Sequence, residues 1–272
     1  MQVRKHRCGY VPRMLLREDR GGVLAIGQTS HAWISGQLAR AWGNARFPRP
    51  QPREEICLAA EQHDIGMALW DLEPTANPNT GLPYGFMEMP LPEHLGLWSA
   101  APRRLLTQSR YAALLVSMHG ARLYARRDLD ALSAPEATAV RAYLAAQRRF
   151  QDELVDSLSA DPRTAPSVEQ SALTDNSQLL WAWDFLSLAI CLDWAPRPTP
   201  KVPSSEGRVQ LAMAPAGEER QLWLEPWPFE GNRVAVRCEA RRIWERFQTE
   251  EEMRSGLAAA PWETVEFELL SR

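Results

Sequence analysis

One carboxylate interrupts the most apolar stretch of this chain. From Ser171 the sequence reads SALTDNSQLLWAWDFLSLAICLDW, and Asp184 falls in its middle. Leu180, Asp184, Ser187 and Ile190 share one face of the helix this spacing predicts, with Trp181, Phe185 and Leu188 beside them. A carboxylate buried in such a helix is costly unless it is paired or holds a cation. The fold therefore has to bring something to Asp184, and the chain can be searched for it.

Histidine is the first place to look. Of the 5 histidines only His6 sits in a setting without structure-forming neighbours. His31 opens the helical pattern His31, Ile34, Leu38, Trp42, after a candidate N-cap at Thr29 or Ser30. That places it on the apolar, inward stripe, where a histidine is either a satisfied core residue or a ligand. His63 and Asp64 form a doublet inside EQHDIGMALWD, after a helical run from Arg53 or Glu54 to Gln62 and directly before Gly66. Adjacent side chains on a helix diverge by about 100°, so the doublet is either a helix end with a turn or a pair drawn toward one point charge. His119 lies in YAALLVSMHGARLYARR among apolar residues, in a helix opened by Ser109. His94 closes a stretch rich in Pro, Gly and Asn from Asp71 onward, read here as a long loop that can wall or cover a site. Imidazole and carboxylate are ordinary ligands of Zn, Mn and Fe. The candidate metal ligands are thus His31, His63, Asp64, His94, His119 and Asp184. Glu61 and Asp64 are the candidate proton-transfer groups, and Trp70, Asp71, Tyr84 and Phe86 are candidate pocket walls. Arg122, Arg126 and Arg127 could bind phosphate or form a solvated face.

The rest of the chain sets the frame. Residues 11–17 and 23–27 read as short strands around the turn Glu18–Gly22. Residues 135–159 read as a long amphipathic helix. After Trp194 the period changes. A stiff connector through Pro196, Pro198, Pro200 and Pro203 leads into VQLAMA, QLWLEPW, VAVRCEA and TVEFELL, which alternate as strands do, with a short helix between the last two. The expected fold is mainly α, a helical bundle over residues 1–195, with a small antiparallel sheet from residues 196–272 packed on it as one unit, the N-terminal strands free to join. At 272 residues the chain is long enough for a sizeable core. A net charge of −3 excludes a generally basic nucleic-acid binder. No apolar run approaches the ~18 residues of a membrane span. The 4 cysteines are scattered without a CxxC pair, and the N-terminus has no apolar leader, so a reduced, cytoplasmic protein is expected. A small-molecule substrate, possibly phosphorylated, is the expected partner, with homo-oligomerisation left open.

The order of a histidine, a His-Asp doublet some thirty residues on, further histidines and a late helical Asp resembles the HD-domain superfamily. Its members are all-α, metal-dependent and commonly phosphohydrolases. The resemblance places His31 at the first histidine, His63-Asp64 at the doublet and Asp184 at the final Asp, with His94 and His119 at the extra histidines of two-metal members. It implies one or two divalent ions (Mn, Fe or Zn), Asp64 bridging in the second case, and either phosphoester hydrolysis or oxygen chemistry of the inositol oxygenase type. The chain departs from the cyclic-dinucleotide phosphodiesterases of that superfamily in having no GYP triplet after the doublet, and from many of its phosphohydrolases and the oxygenases in having no lysine near it; Lys5 and Lys201 are the only lysines. More closely, QTSHAWISGQLA, EQHDIGMALWD, TGLPYGF, LVSMHGARLY, LLWAWDFLSL and PWPF together are similar to DUF3891, a bacterial family of uncharacterised proteins, which implies no established activity. A non-catalytic metal or ligand module, and a partner-binding protein using a Trp-rich sheet, stay open beside the enzyme readings.

Overall fold

Residues 14–85 and 89–272 are described by a computed structural model. His6, Cys8 and Phe86 lie outside them. The first strands, β1 (Leu15–Asp19) and β2 (Gly22–Ile26), form a hairpin whose two central residues, Arg20 and Gly21, have φ of 50° and 80°. That is the left-handed pair a tight hairpin requires. Helices α1 (Gln28–Ala41) and α2 (Arg53–Gln62) follow, then the five-residue α3 (Ala68–Leu72) and a two-residue pairing of β3 (Ala76–Asn77) with β4 (Leu82–Pro83). The expected loop up to His94 is shorter than its composition suggested, because α4 (Leu91–Leu105) already contains His94. Pro90, Pro92 and the first-turn Glu93 suit a helix start and mask it as loop. Next come α5 (Arg110–Ala125), capped by Ser109 as expected, α6 (Ala134–Ser159) and α7 (Gln170–Cys191).

The expectation of a mainly α protein with a small antiparallel sheet is overturned. The fold is mixed α/β. Strands β5 (Arg197–Ser204), β6 (Gly207–Pro215), β7 (Gln221–Glu225), β8 (Arg233–Ile243) and β9 (Trp262–Ser271) join the hairpin in one seven-stranded sheet, ordered β1-β2-β8-β9-β7-β6-β5. It is not purely antiparallel either, since β7 and β9 run parallel. Helix α8 (Glu250–Ala259), with a capping box at Thr249 and Glu252, connects β8 to β9. Two features concealed the sheet's size. The Pro-rich connector is itself β5, tolerated because β5 is an edge strand and breaks register between Pro198 and Lys201. The hairpin, separated from β8 in sequence by the whole helical region, docks on it through Val23–Ile26.

Helices and sheet share one core. Trp42 of α1 meets the rings of Trp183 on α7 and Phe229 beside the sheet edge-on, at 5.7 Å each. Helix α1 also completes β8. Where β2 stops, Ser30 Oγ donates to the Glu239 carbonyl (2.7 Å) and accepts from its N–H (2.9 Å), and Gln37 does the same for Arg237 (2.7 and 3.0 Å). These contacts satisfy strand backbone that would otherwise be an open edge. They also hold α1, and so His31, at a fixed height against the sheet. Thr29 and Ser30 therefore do not cap α1. Gly27 is the cap position, and Asp71 serves from outside: its Oδ2 accepts from the Thr29 N–H (3.1 Å) and hydroxyl (3.2 Å). Among the described residues no helix is long and apolar enough to cross a membrane.

Candidate metal centre

The site lies where α1, the end of α2, α5 and α7 converge. His63 is the C-cap of α2, still in helical geometry, whereas Asp64 has φ −100° and ψ 17° and begins the 3-10 turn Ile65–Met67. This change of backbone lets neighbouring side chains face one point, which a continuing helix forbids. The turn fits because of Gly66. A Cβ there would stand 2.4 Å from the Leu97 carbonyl oxygen and 3.0 Å from Ala101 Cβ, both on α4. Gly66→Ala is expected to lower stability by about 1–3 kcal/mol, read as a fall in the denaturant midpoint; an unchanged midpoint would show that α4 yields freely.

Asp184 receives what the sequence demanded. His63 Nε2 is 3.3 Å from its Oδ1, and His119 Nε2 is 3.5 Å from its Oδ2. On the other side, Asp64 Oδ2 is 2.8 Å from His31 Nε2 and 3.5 Å from His63 Nε2. All five side chains are buried. Ligand atoms of His31, His63 and Asp184 lie within 4.8 Å of one another, a set that could hold a metal ion. Asp64 and His119 flank it.

The hydrogen bonds fix which nitrogens are free. His63 Nδ1–H donates to the Ala60 carbonyl at 2.8 Å. Ser187 Oγ donates to the Asp184 carbonyl at 2.8 Å, so toward His31 Nδ1, 3.0 Å away, it accepts. Ser35 Oγ donates to Ser187 as well, at 2.9 Å. Both imidazoles therefore carry their ordinary proton on Nδ1 and turn Nε2 toward carboxylates. Outer partners of this kind orient histidines that bind metals. His63 Nε2 is buried and makes no hydrogen bond. A bare nitrogen opposite two carboxylates is satisfied only by a second proton or by a cation. Charge agrees. Burial pushes the His63 pKa down, yet Asp64 and Asp184 together overcome it and raise it to about 9. Asp184, despite its burial, is drawn down to about 2 by His63 and the other histidines, and Asp64 is lowered by His63 and His31. His119 is held near 4 by burial, between the rings of Trp98 (5.6 Å) and Trp181 (5.3 Å). The donor set thus fits a divalent ion.

Two sequence candidates stand apart. His94 Nε2 accepts from Trp98 Nε1–H at 2.7 Å, and its Nδ1 is hydrogen-bonded to Tyr124 Oη. Both nitrogens are engaged, so the two-ion assignment lacks one of its ligands here. Glu61 turns away onto Arg40 of α1. Arg122 and Arg126 lie over Trp181, 4.5 and 5.7 Å from its ring centre, while Arg127 reaches the cavity itself. Gln28, Leu123, Tyr124 and Leu188 also line that cavity, which encloses about 50 Å³ of free space. That exceeds the 10–15 Å³ a single water needs. Reasoning from sequence missed Ser187, Ser35 and Tyr124. Ser187 was readable, because it lies one turn after Asp184 on the same face.

Fold and site together define a mixed α/β protein with a buried His-His-Asp centre suited to a metal ion. The chain belongs to the family described as protein of unknown function, DUF3891, whose model matches residues 14–245. No curated protein and no solved structure matches it, and nothing in these comparisons links it to the HD-domain superfamily.

Proposed function

We propose that the protein is a metal-dependent hydrolase of a phosphoester, with one divalent ion held by His31, His63, Asp64 and Asp184. The observation that carries this is the buried His63 Nε2, which makes no hydrogen bond and is directed at two carboxylates while Nδ1 is engaged by Ala60. An ion in that place supplies Lewis-acid polarisation of a phosphoryl oxygen and lowers the pKa of water. The chain's own groups do the rest. Ser187 and the Ala60 carbonyl hold the two imidazoles in the required tautomer. Asp64 Oδ1, the oxygen that His31 and His63 leave free, takes the proton of the attacking water. Leu123, Leu188 and Trp98 exclude bulk solvent from the cavity. The order His31, His63-Asp64, Asp184 is that of the HD-domain phosphohydrolases, a resemblance in residues and not in overall fold.

The test is elemental analysis of protein purified without chelators, before and after addition of Mn²⁺, followed by assay with p-nitrophenyl phosphate and its bis ester. The expected result is about one ion per chain and metal-dependent release of nitrophenol. Metal uptake below about a tenth of that ratio, or full loading without turnover of either ester, overturns the proposal.

A further inference from the structure

The wall of the cavity beside the metal ligands contains a hydrogen-bond relay that the reading above does not use. Trp98 Nε1 can only donate, and it donates to His94 Nε2 at 2.7 Å. A neutral imidazole has one proton, which then sits on Nδ1. Burial keeps His94 neutral, its pKa lowered to about 3. The Nδ1–H therefore donates to Tyr124 Oη. Tyr124 accepts in this bond, so its own hydroxyl proton has to go elsewhere. The adjacent Tyr143, whose ring centre is 5.1 Å away, does not take it, because its buried hydroxyl makes no hydrogen bond. Among the described residues Tyr124 Oη makes no further hydrogen bond. Yet Tyr124 is 98% buried from solvent by its 2% exposure, and it lines the same cavity as His31, His63, Asp64 and Asp184.

We infer that Tyr124 is a substrate-binding residue, its hydroxyl donating a hydrogen bond to an anionic oxygen of the molecule bound in this cavity, with His94 and Trp98 as positioning residues that aim it. Burial raises the phenol's pKa, so it remains a donor throughout the working pH range. A fixed donor aimed before the ligand arrives is the arrangement that stabilises an oxyanion without reorganisation. The relay also accounts for the spacing on α4: His94 and Trp98 are one helical turn apart, which brings both side chains to one face. It accounts for Gly120 too, since a Cβ there would stand 2.6 Å from the Trp98 ring and from Tyr143 Oη. The ligand class is an oxyanion, a phosphoryl group in the hydrolase reading on which this inference rests.

Inorganic phosphate is the probe, titrated calorimetrically into full-length protein with and without Mn²⁺. Tyr124→Phe is expected to weaken phosphate binding about 10- to 100-fold while leaving metal content unchanged. Trp98→Phe is expected to weaken it less and to shift the His94 tautomer from Nδ1–H toward Nε2–H in ¹⁵N-detected imidazole spectra, a change that mere loss of packing does not produce. Equal phosphate affinity of Tyr124→Phe and wild type overturns the inference, as does a wild type that binds no phosphate in either condition. Failure to take up metal sinks the hydrolase reading alone, because the comparison of Tyr124→Phe with wild type is also made without Mn²⁺.

Discussion

Asp184→Ala is expected to abolish metal binding and, separately, to destabilise the metal-free protein. Asp184 is the acidic member of the closest three-ligand set, and both its oxygens face imidazole nitrogens, at 3.3 and 3.5 Å. Removing it takes away a ligand, so the loss of affinity should exceed the 10–100-fold that accompanies loss of an outer partner. Ser187→Ala supplies that smaller reference effect, since Ser187 only orients His31. Without metal, Asp184→Ala deprives buried His63 of one of the two carboxylates that keep it protonated, and breaking a buried pair from one side costs about 3–5 kcal/mol. His63→Ala should match the first effect. Elemental analysis and chelator competition measure the affinities, and denaturant unfolding of metal-free protein measures the stability. Full metal retention by both Asp184→Ala and His63→Ala would remove these residues from the ligand set.

How the site was legible follows from one physical rule. Asp184, His31 and His119 announced themselves because polar groups on apolar helical stripes need partners: Asp184 faces His119 and His63, and His31 faces Asp64. His94 obeyed the same rule and found a different partner. A histidine buried with tryptophan and tyrosine satisfies both nitrogens locally, and nothing in its spacing from His63 distinguishes the two outcomes. Glu61 was chosen for nearness in sequence, but it belongs to α2 proper and faces Arg40, whereas the site opens only where the helix ends at His63. Helices α1, α2, α5, α6, α7 and α8 were readable from period, α3 and α4 were not, and β6, β7, β8 and β9 were. The sheet's extent was not, because joining β2 to β8 and seating α1 along β8 depend on contacts over about two hundred residues of chain, such as Ser30 with Glu239. A Pro-rich edge strand likewise has no alternation strong enough to separate it from a connector.

The metal-free protein should be most stable near neutral pH, and metal should remove the alkaline side of that profile. His94 and His119 are buried neutral, with pKa values lowered to about 3 and about 4. In the unfolded chain each titrates near 6.5. Between these values the unfolded state binds more protons, so the stability these two contribute is complete above pH 6.5 and is lost as pH falls. For one such group the loss between pH 7 and pH 5 is about 2 kcal/mol. His94→Gln should flatten that limb by a comparable amount. His63 acts in the opposite sense. Its folded pKa, raised to about 9, exceeds the unfolded value, so its contribution is complete below pH 6.5 and is lost as pH rises through 9. Between pH 7 and pH 9 that loss is again about 2 kcal/mol. An ion held by His63 would take the place of its extra proton, so loading at neutral pH is expected to release protons and to remove the alkaline limb from the loaded protein. Denaturant midpoints from pH 5 to pH 9, with and without Mn²⁺, measure both limbs. An alkaline limb that persists unchanged in loaded protein would place the ion away from His63, and an acid limb unaffected by His94→Gln would assign the acid loss to other groups.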